Sequence, residues 1–158
     1  MSEHTAILPL RTRPLAILTA VLAPPQALGD TPQGNRKIVP VIGGTLEGPR
    51  IRARVLPFGG DWALTRADGV LTLDVRLTAE TDDGFLIQVT YDGMRHGPPA
   101  VMARLAKGET VDPSEMYFRI APQFETAAPG YQWLNRLLAV GIGERLPQGP
   151  RYHIHEVL

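Results

Sequence analysis

From Val70 to Ala79 the apolar residues Leu71, Leu73, Val75 and Leu77 alternate with Thr72, Asp74, Arg76 and Thr78. A pleated strand imposes a repeat of two, whereas a helix would scatter these side chains around its axis. The pattern recurs at Ile51-Arg52-Ala53-Arg54-Val55. It recurs again where Phe85, Ile87, Val89 and Tyr91 share one face, with Gln88 and Thr90 behind. Turn chemistry agrees with the periodicity. Arg66-Ala67-Asp68-Gly69 precedes one strand, Asp82-Asp83-Gly84 follows it, and Tyr91-Asp92-Gly93 reads as the end of the next. Asp-Gly turns join strands over a few residues, and connections that short make neighbours antiparallel.

Further strands are expected at Lys37–Ile42, Met116–Ile120, Trp133–Ile142 and Tyr152–Leu158. For Trp133–Val140 helix propensity competes, and Gly141-Ile142-Gly143 with the β-rich surroundings favours a strand. Long loops are expected over Met94–Pro113 and Pro122–Gly130, where functional groups would gather. Arg11 and Arg13 followed by the apolar run Leu15–Ala23 imitate a signal peptide. Glu3, Pro24 and Pro25 fit one poorly, and the run is too short to span a bilayer. It reads instead as a first strand buried on both faces, in a cytoplasmic protein. Eight or nine short strands with little helix point to an all-β fold, a small antiparallel β-barrel whose closure removes exposed edges. The 158 residues are expected to form a single domain, with residues 1–13 loosely ordered.

Composition narrows the chemistry. Sixteen Lys+Arg against sixteen Asp+Glu leave no basic excess for nucleic acid, and zero cysteines remove thiolate catalysis, disulfides and Cys-based metal sites. There is no Gly-Lys-Ser/Thr phosphate loop and no G-x-S-x-G elbow. His153-Ile154-His155 puts two imidazoles on one strand face, but the chain stops at Leu158 without the further Glu and His of a cupin-like site. Neither a metal nor a cofactor is expected.

More suggestive are polar residues set among aromatics. Asp61 stands beside Trp62 after Gly59-Gly60. Arg119 lies opposite Phe118, and Glu125 follows Phe124. Trp133 and Asn135 share a face if their segment is a strand. Brought together in a small barrel, such groups would form a mostly apolar pocket with a few fixed polar contacts. Each also has a structural reading, as a turn cap, a solvated ion pair or a barrel plug.

Five segments in order carry a family resemblance. They are Gly43-Gly44-Thr45 with Gly48-Pro49; Gly59-Gly60-Asp61-Trp62; Asp82-Asp83-Gly84; Tyr117-Phe118-Arg119 with Pro122 and Phe124-Glu125-Thr126; and Tyr131 with Trp133-Leu134-Asn135. Together they resemble the bacterial and fungal family of unknown function numbered 3237, from about Leu15 to Leu158. The resemblance implies a compact lipocalin- or streptavidin-like barrel that self-associates, here a homo-oligomer such as a dimer or tetramer. It supplies no reaction.

The residues themselves suggest a cofactor-independent lyase, isomerase or cyclase acting on a small aromatic or apolar metabolite. Asp61 or Glu125 would be general acid or base, and Arg119 would hold an anion. Tyr91 or Asn135 would orient it, while Trp62, Phe124 and Trp133 would pack it. The alternative is a non-catalytic barrel that carries a small hydrophobic acid in the same pocket. Neither reading involves nucleic acid or a membrane.

Overall fold

The computed structural model describes residues 5–158. Ten strands form one sheet: β1 (Thr12–Leu22), β2 (Gln26–Thr31), β3 (Gly34–Gly48), β4 (Ile51–Val55), β5 (Gly59–Thr65), β6 (Leu71–Thr81), β7 (Leu86–His96), β8 (Tyr117–Thr126), β9 (Leu138–Leu146) and β10 (Gly149–Val157). One short helix, α1 (Pro99–Ala106), follows β7. All pairings are antiparallel, and β1 pairs with both β10 and β3, which closes the barrel.

Ten strands make eight staves because two staves are broken. β4 and β5 run in one direction between β3 and β6, interrupted at Leu56-Pro57-Phe58. β1 and β2 likewise share the long β3 as partner and are separated by Ala23-Pro24-Pro25, prolines that cannot donate to a ladder. Gly69 and Gly84 sit at φ 85° and 86° in the turns flanking β6, the conformation for which Asp-Gly was read.

The interior is built by alternation. Leu73, Val75, Leu77 and Ala79 of β6 stand beside Ile87, Val89 and Tyr91 of the neighbouring β7 on the inner face of the wall. The lower half of the barrel is filled solid by such residues and capped by Leu134. Below them the buried carboxylate of Glu156 is held by Arg13 and by Arg50, the latter at 2.8 Å.

Several expected boundaries shift. β7 continues through Asp92-Gly93 to His96, so the first connection shifts to residues 97–116 and contains α1. β8 runs on to Thr126, which leaves only residues 127–130 of the second expected loop outside a strand. The glycines of β7 and β9 make room for large neighbours. A Cβ on Gly141 would stand 2.8 Å from the Ile120 side chain, and one on Gly143 would stand 2.6–2.8 Å from three Phe118 ring atoms. Large residues on β8 against glycine on its neighbours is how a small barrel fills its taper. Gly143→Ala is therefore expected to cost about 1–3 kcal/mol. At about 2–4 °C per kcal/mol for a chain of this size, calorimetry should show a clear fall in Tm. Phe118→Leu in the same chain should recover part of it.

Trp133–Ile142 is not one strand. Gln132–Arg136 winds into a 3-10 turn, and β9 begins only at Leu138. Local hydrogen bonds replace a ladder there: Trp133 Nε1 donates to the Gly130 carbonyl at 3.0 Å, and the Asn135 amide bonds both the N–H and the carbonyl of Thr126 at 2.8 Å. Of the Leu15–Ala23 run, all but Ala23 lies in β1, but it is buried on one face only. Ile17 points out of the barrel and is 43% exposed, because a barrel wall has a solvent side. Of the loose lead-in expected over residues 1–13, residues 1–4 lie outside the described residues. Residues 5–11 have no regular structure, and Thr12 already belongs to β1. No helix among the described residues is long and apolar enough to cross a membrane.

Candidate functional site

The upper half of the barrel is not filled. A cavity of about 660 Å³ opens between the β9–β10 turn, the Pro24-Pro25 break and α1, which contributes Met102 and Leu105 to its wall. Its sides are largely apolar, with Val39, Val41, Leu71 and Leu73 among them. Six titratable residues line it, Lys37, Asp61, Tyr91, Arg95, Arg145 and Tyr152, together with the neutral polar side chains of Thr65 and Gln148.

Register explains how they meet. Asp61 pairs with Val75, and Val75 pairs with Tyr91, so one row across β5, β6 and β7 carries the carboxylate and a phenol inward. Arg95 pairs with Phe118 across β7 and β8. Tyr152 on β10 touches both aromatic groups edge-on, with centroids 5.2 Å from Tyr91 and 5.3 Å from Phe118. Tyr91 and Tyr152 form the floor, both almost completely buried.

Asp61 is also part of the wall. β5 and β6 pair at Gly60/Arg76 and Asp61/Val75, then at Leu64/Thr72 and Thr65/Leu71, leaving the ladder open at the two positions between. Side chains satisfy the freed main-chain groups. Asp61 Oδ1 accepts from the Asp74 N–H at 3.0 Å, and Arg36 Nη1 donates to the Trp62 carbonyl at 2.8 Å. The carboxylate thus closes a seam in the barrel while facing the cavity.

Burial raises the Asp61 pKa from 3.8 to about 6. The Asp74 N–H opposes the rise, the Asp74 charge adds to it, and Arg95 and Arg36 oppose it. Burial also lifts both phenols, Tyr91 and Tyr152, with the Asp61 charge contributing to each, so both stay protonated at neutral pH. Burial and the neighbouring Arg145 guanidinium lower the pKa of Arg95. A carboxylate that titrates near neutrality beside two neutral phenols can exchange protons with a bound molecule.

Of the residues singled out in the sequence, the structure brings Asp61 and Tyr91 together in this cavity. Trp62 is the neighbour of Asp61 on a strand and so projects outward, 41% exposed. Arg119 lies outside the barrel, stacked on Tyr117 at 5.1 Å in a surface groove shared with Asp74 and Asp92. Glu125 is exposed, and Phe124 is buried in the filled lower half, away from the cavity. Trp133 and Asn135 are at the opposite end, Trp133 beneath the Arg50 guanidinium at 4.1 Å. Asp74 and Arg76 face outward as well. His153 bonds Glu144 at 2.8 Å on the outer surface, and no group of three or more potential metal ligands occurs among the described residues. The cavity residues missed in the sequence are Lys37, Arg95, Arg145 and Tyr152. Arg95 falls within the loop expected over Met94–Pro113, although positions 91, 93 and 95 continue the inward alternation of β7.

The family model described as Protein of unknown function (DUF3237) matches residues 10–157, and the chain belongs to that family. A UPF0311 protein of Rhodopseudomonas palustris is 38% identical over 149 residues, spanning 94% of this chain and 97% of the relative. A crystal structure of a conserved protein of unknown function from that organism superposes with a TM-score of 0.92 at 37% identity, covering 96% of this chain and all of the other. A beta-barrel like protein from Acinetobacter baumannii AYE gives a TM-score of 0.83 at 40% identity, covering 97% and 99%. A structure described as an enzyme from Penicillium herquei shares the fold, with a TM-score of 0.74 at 19% identity and 98% of each chain covered.

Proposed function

We propose that this barrel is a cofactor-independent enzyme that moves a proton on a small aromatic or apolar metabolite held in the upper cavity, in a lyase, isomerase or cyclase reaction. The observation that carries the reading is Asp61, a cavity carboxylate whose pKa is raised to about 6. General acid–base catalysis works best when the pKa of the group lies near the working pH. The Penicillium herquei protein, described as an enzyme, lends support at the level of fold alone.

Asp61 takes the proton from a carbon or hydroxyl of the bound molecule and returns it at a second position. Both phenols are held neutral by burial; Tyr91 donates to Tyr152, and Tyr152 in turn donates a hydrogen bond to the oxygen on which charge develops. The apolar wall packs the body of the molecule and limits water around Asp61. These steps use only a carboxylate and two phenols, in place of the more dispersed set read from the sequence.

The experiment is a panel of small aromatic acids, phenols and enones incubated with the protein in deuterium oxide and followed by NMR. Proton-transfer catalysis is expected to appear as protein-dependent deuterium incorporation or conversion of at least one bound compound. A compound that binds in the cavity yet neither exchanges nor changes would turn the reading to the carrier.

A further inference from the structure

We infer that the cavity ligand is an organic anion, an apolar body bearing a carboxylate or similar acid group, and that Arg95 is the residue that receives its charge. The inference rests on the same cavity as the proposed function but does not require proton transfer.

The charge balance of the cavity is one-sided. Lys37, Arg95 and Arg145 face it against the single carboxylate of Asp61. Among the described residues none of these three cations has a carboxylate within 4.0 Å, although seven arginine–carboxylate ion pairs form elsewhere. Arg145 spends one donor on the carbonyl of the adjacent Leu146 at 3.1 Å. Arg95 is less provided for: its Nε is buried and meets no acceptor. Buried donors in folded proteins are ordinarily satisfied, and an orphan calls for an explanation.

The neighbours of Arg95 do not supply one. Its guanidinium lies 5.6 Å above the Phe118 ring, and a π face attracts the cation without accepting its in-plane N–H groups. Arg145 repels it. A bidentate carboxylate would satisfy the guanidinium edge and relieve that repulsion, since the planar fork of arginine matches a carboxylate. Position gives the ligand an orientation. Arg95 stands four residues nearer the rim than Tyr91, so the acid group sits towards the mouth. The apolar body then extends down towards Asp61, Tyr91 and Tyr152.

The test is calorimetric titration of the wild-type protein, Arg95→Met and Arg145→Met with 2-naphthoate and with its neutral analogue 2-naphthalenemethanol. The wild type is expected to prefer the acid, and Arg95→Met to weaken it roughly 10–100-fold, the scale of charged hydrogen bonds, with little effect on the alcohol. Arg145→Met should weaken the acid less, and serves in its place should Arg95→Met fail to fold. Equal binding of acid and alcohol, equal weakening of both, or no binding of naphthoate, benzoate or cinnamate overturns the inference. Preference for the acid without deuterium exchange removes the enzyme reading and leaves this one standing. Exchange on a neutral compound with no preference for acids does the reverse.

Discussion

Replacing both Arg13 and Arg50 with alanine is expected to destabilise the barrel by about 3–5 kcal/mol at pH 8, whereas Glu156→Gln should cost only about 1 kcal/mol. The asymmetry follows from which partner is buried. Glu156 faces the barrel interior on β10 and is 5% exposed, while both arginines reach it from the solvent side and remain about half exposed. Arg13 Nε and Arg50 Nη2 donate to the same carboxylate oxygen. Without them a carboxylate is left buried and unpaired. Without Glu156, two guanidinium groups turn to water, and Arg50 keeps its place over Trp133. Urea unfolding of both variants and the parent at pH 8 measures the two losses. Equal losses in the double arginine variant and in Glu156→Gln would count against a buried unpaired charge.

That buried contact joins residues far apart in sequence, and such contacts mark where reading the chain stops. The Val70–Ala79 and Phe85–Tyr91 alternations and their Asp-Gly turns foretell β6, β7 and the antiparallel barrel, because periodicity and turn chemistry are local properties. Period two also separates Asp61 from Trp62, Phe118 from Arg119 and Phe124 from Glu125. Neighbours on a strand lie on opposite sides of the wall, so such pairs do not build one pocket. Glycine misleads in the other direction. Gly93 reads as a turn residue, yet it sits within β7, where a Cβ would stand 2.8 Å from the Ile120 side chain of β8. That requirement comes from a partner strand and leaves no local trace. Tyr152 and Arg145 carry no local mark for the same reason: they share a cavity with Asp61 only because β10 closes against β1.

Asp61→Asn is expected to abolish proton transfer, by about 10²–10⁴-fold, and at the same time to make the folded protein more stable at pH 8. An amide cannot take up the proton, which accounts for the first effect. The second follows from the sign of the pKa shift. Burial outweighs every favourable contact of the Asp61 charge, so its pKa in the folded state is about 6, against 3.8 as the ordinary value. Below pH 3.8 the carboxyl is protonated in both states and contributes no pH dependence. Between there and pH 6 the unfolded chain ionises first, and stability falls as pH rises. Above pH 6 the penalty is complete, about 1–2 kcal/mol once solvent screening of a partly exposed group is allowed for. Asparagine removes the charge but keeps the oxygen that accepts from the Asp74 N–H, so the seam between β5 and β6 stays closed. The variant should therefore melt several degrees above the parent at pH 8 and level with it near pH 4. Asp61→Leu separates the two contributions. It removes the same charge but strands the Asp74 N–H, and is expected to fall about 1–3 kcal/mol below the asparagine variant at every pH. Melting curves of the three proteins at pH 4, 6 and 8 decide it. Should the asparagine variant be no more stable than the parent at pH 8, the carboxylate is not strained by burial, and Asp61 loses the property that marks it as the acid–base group.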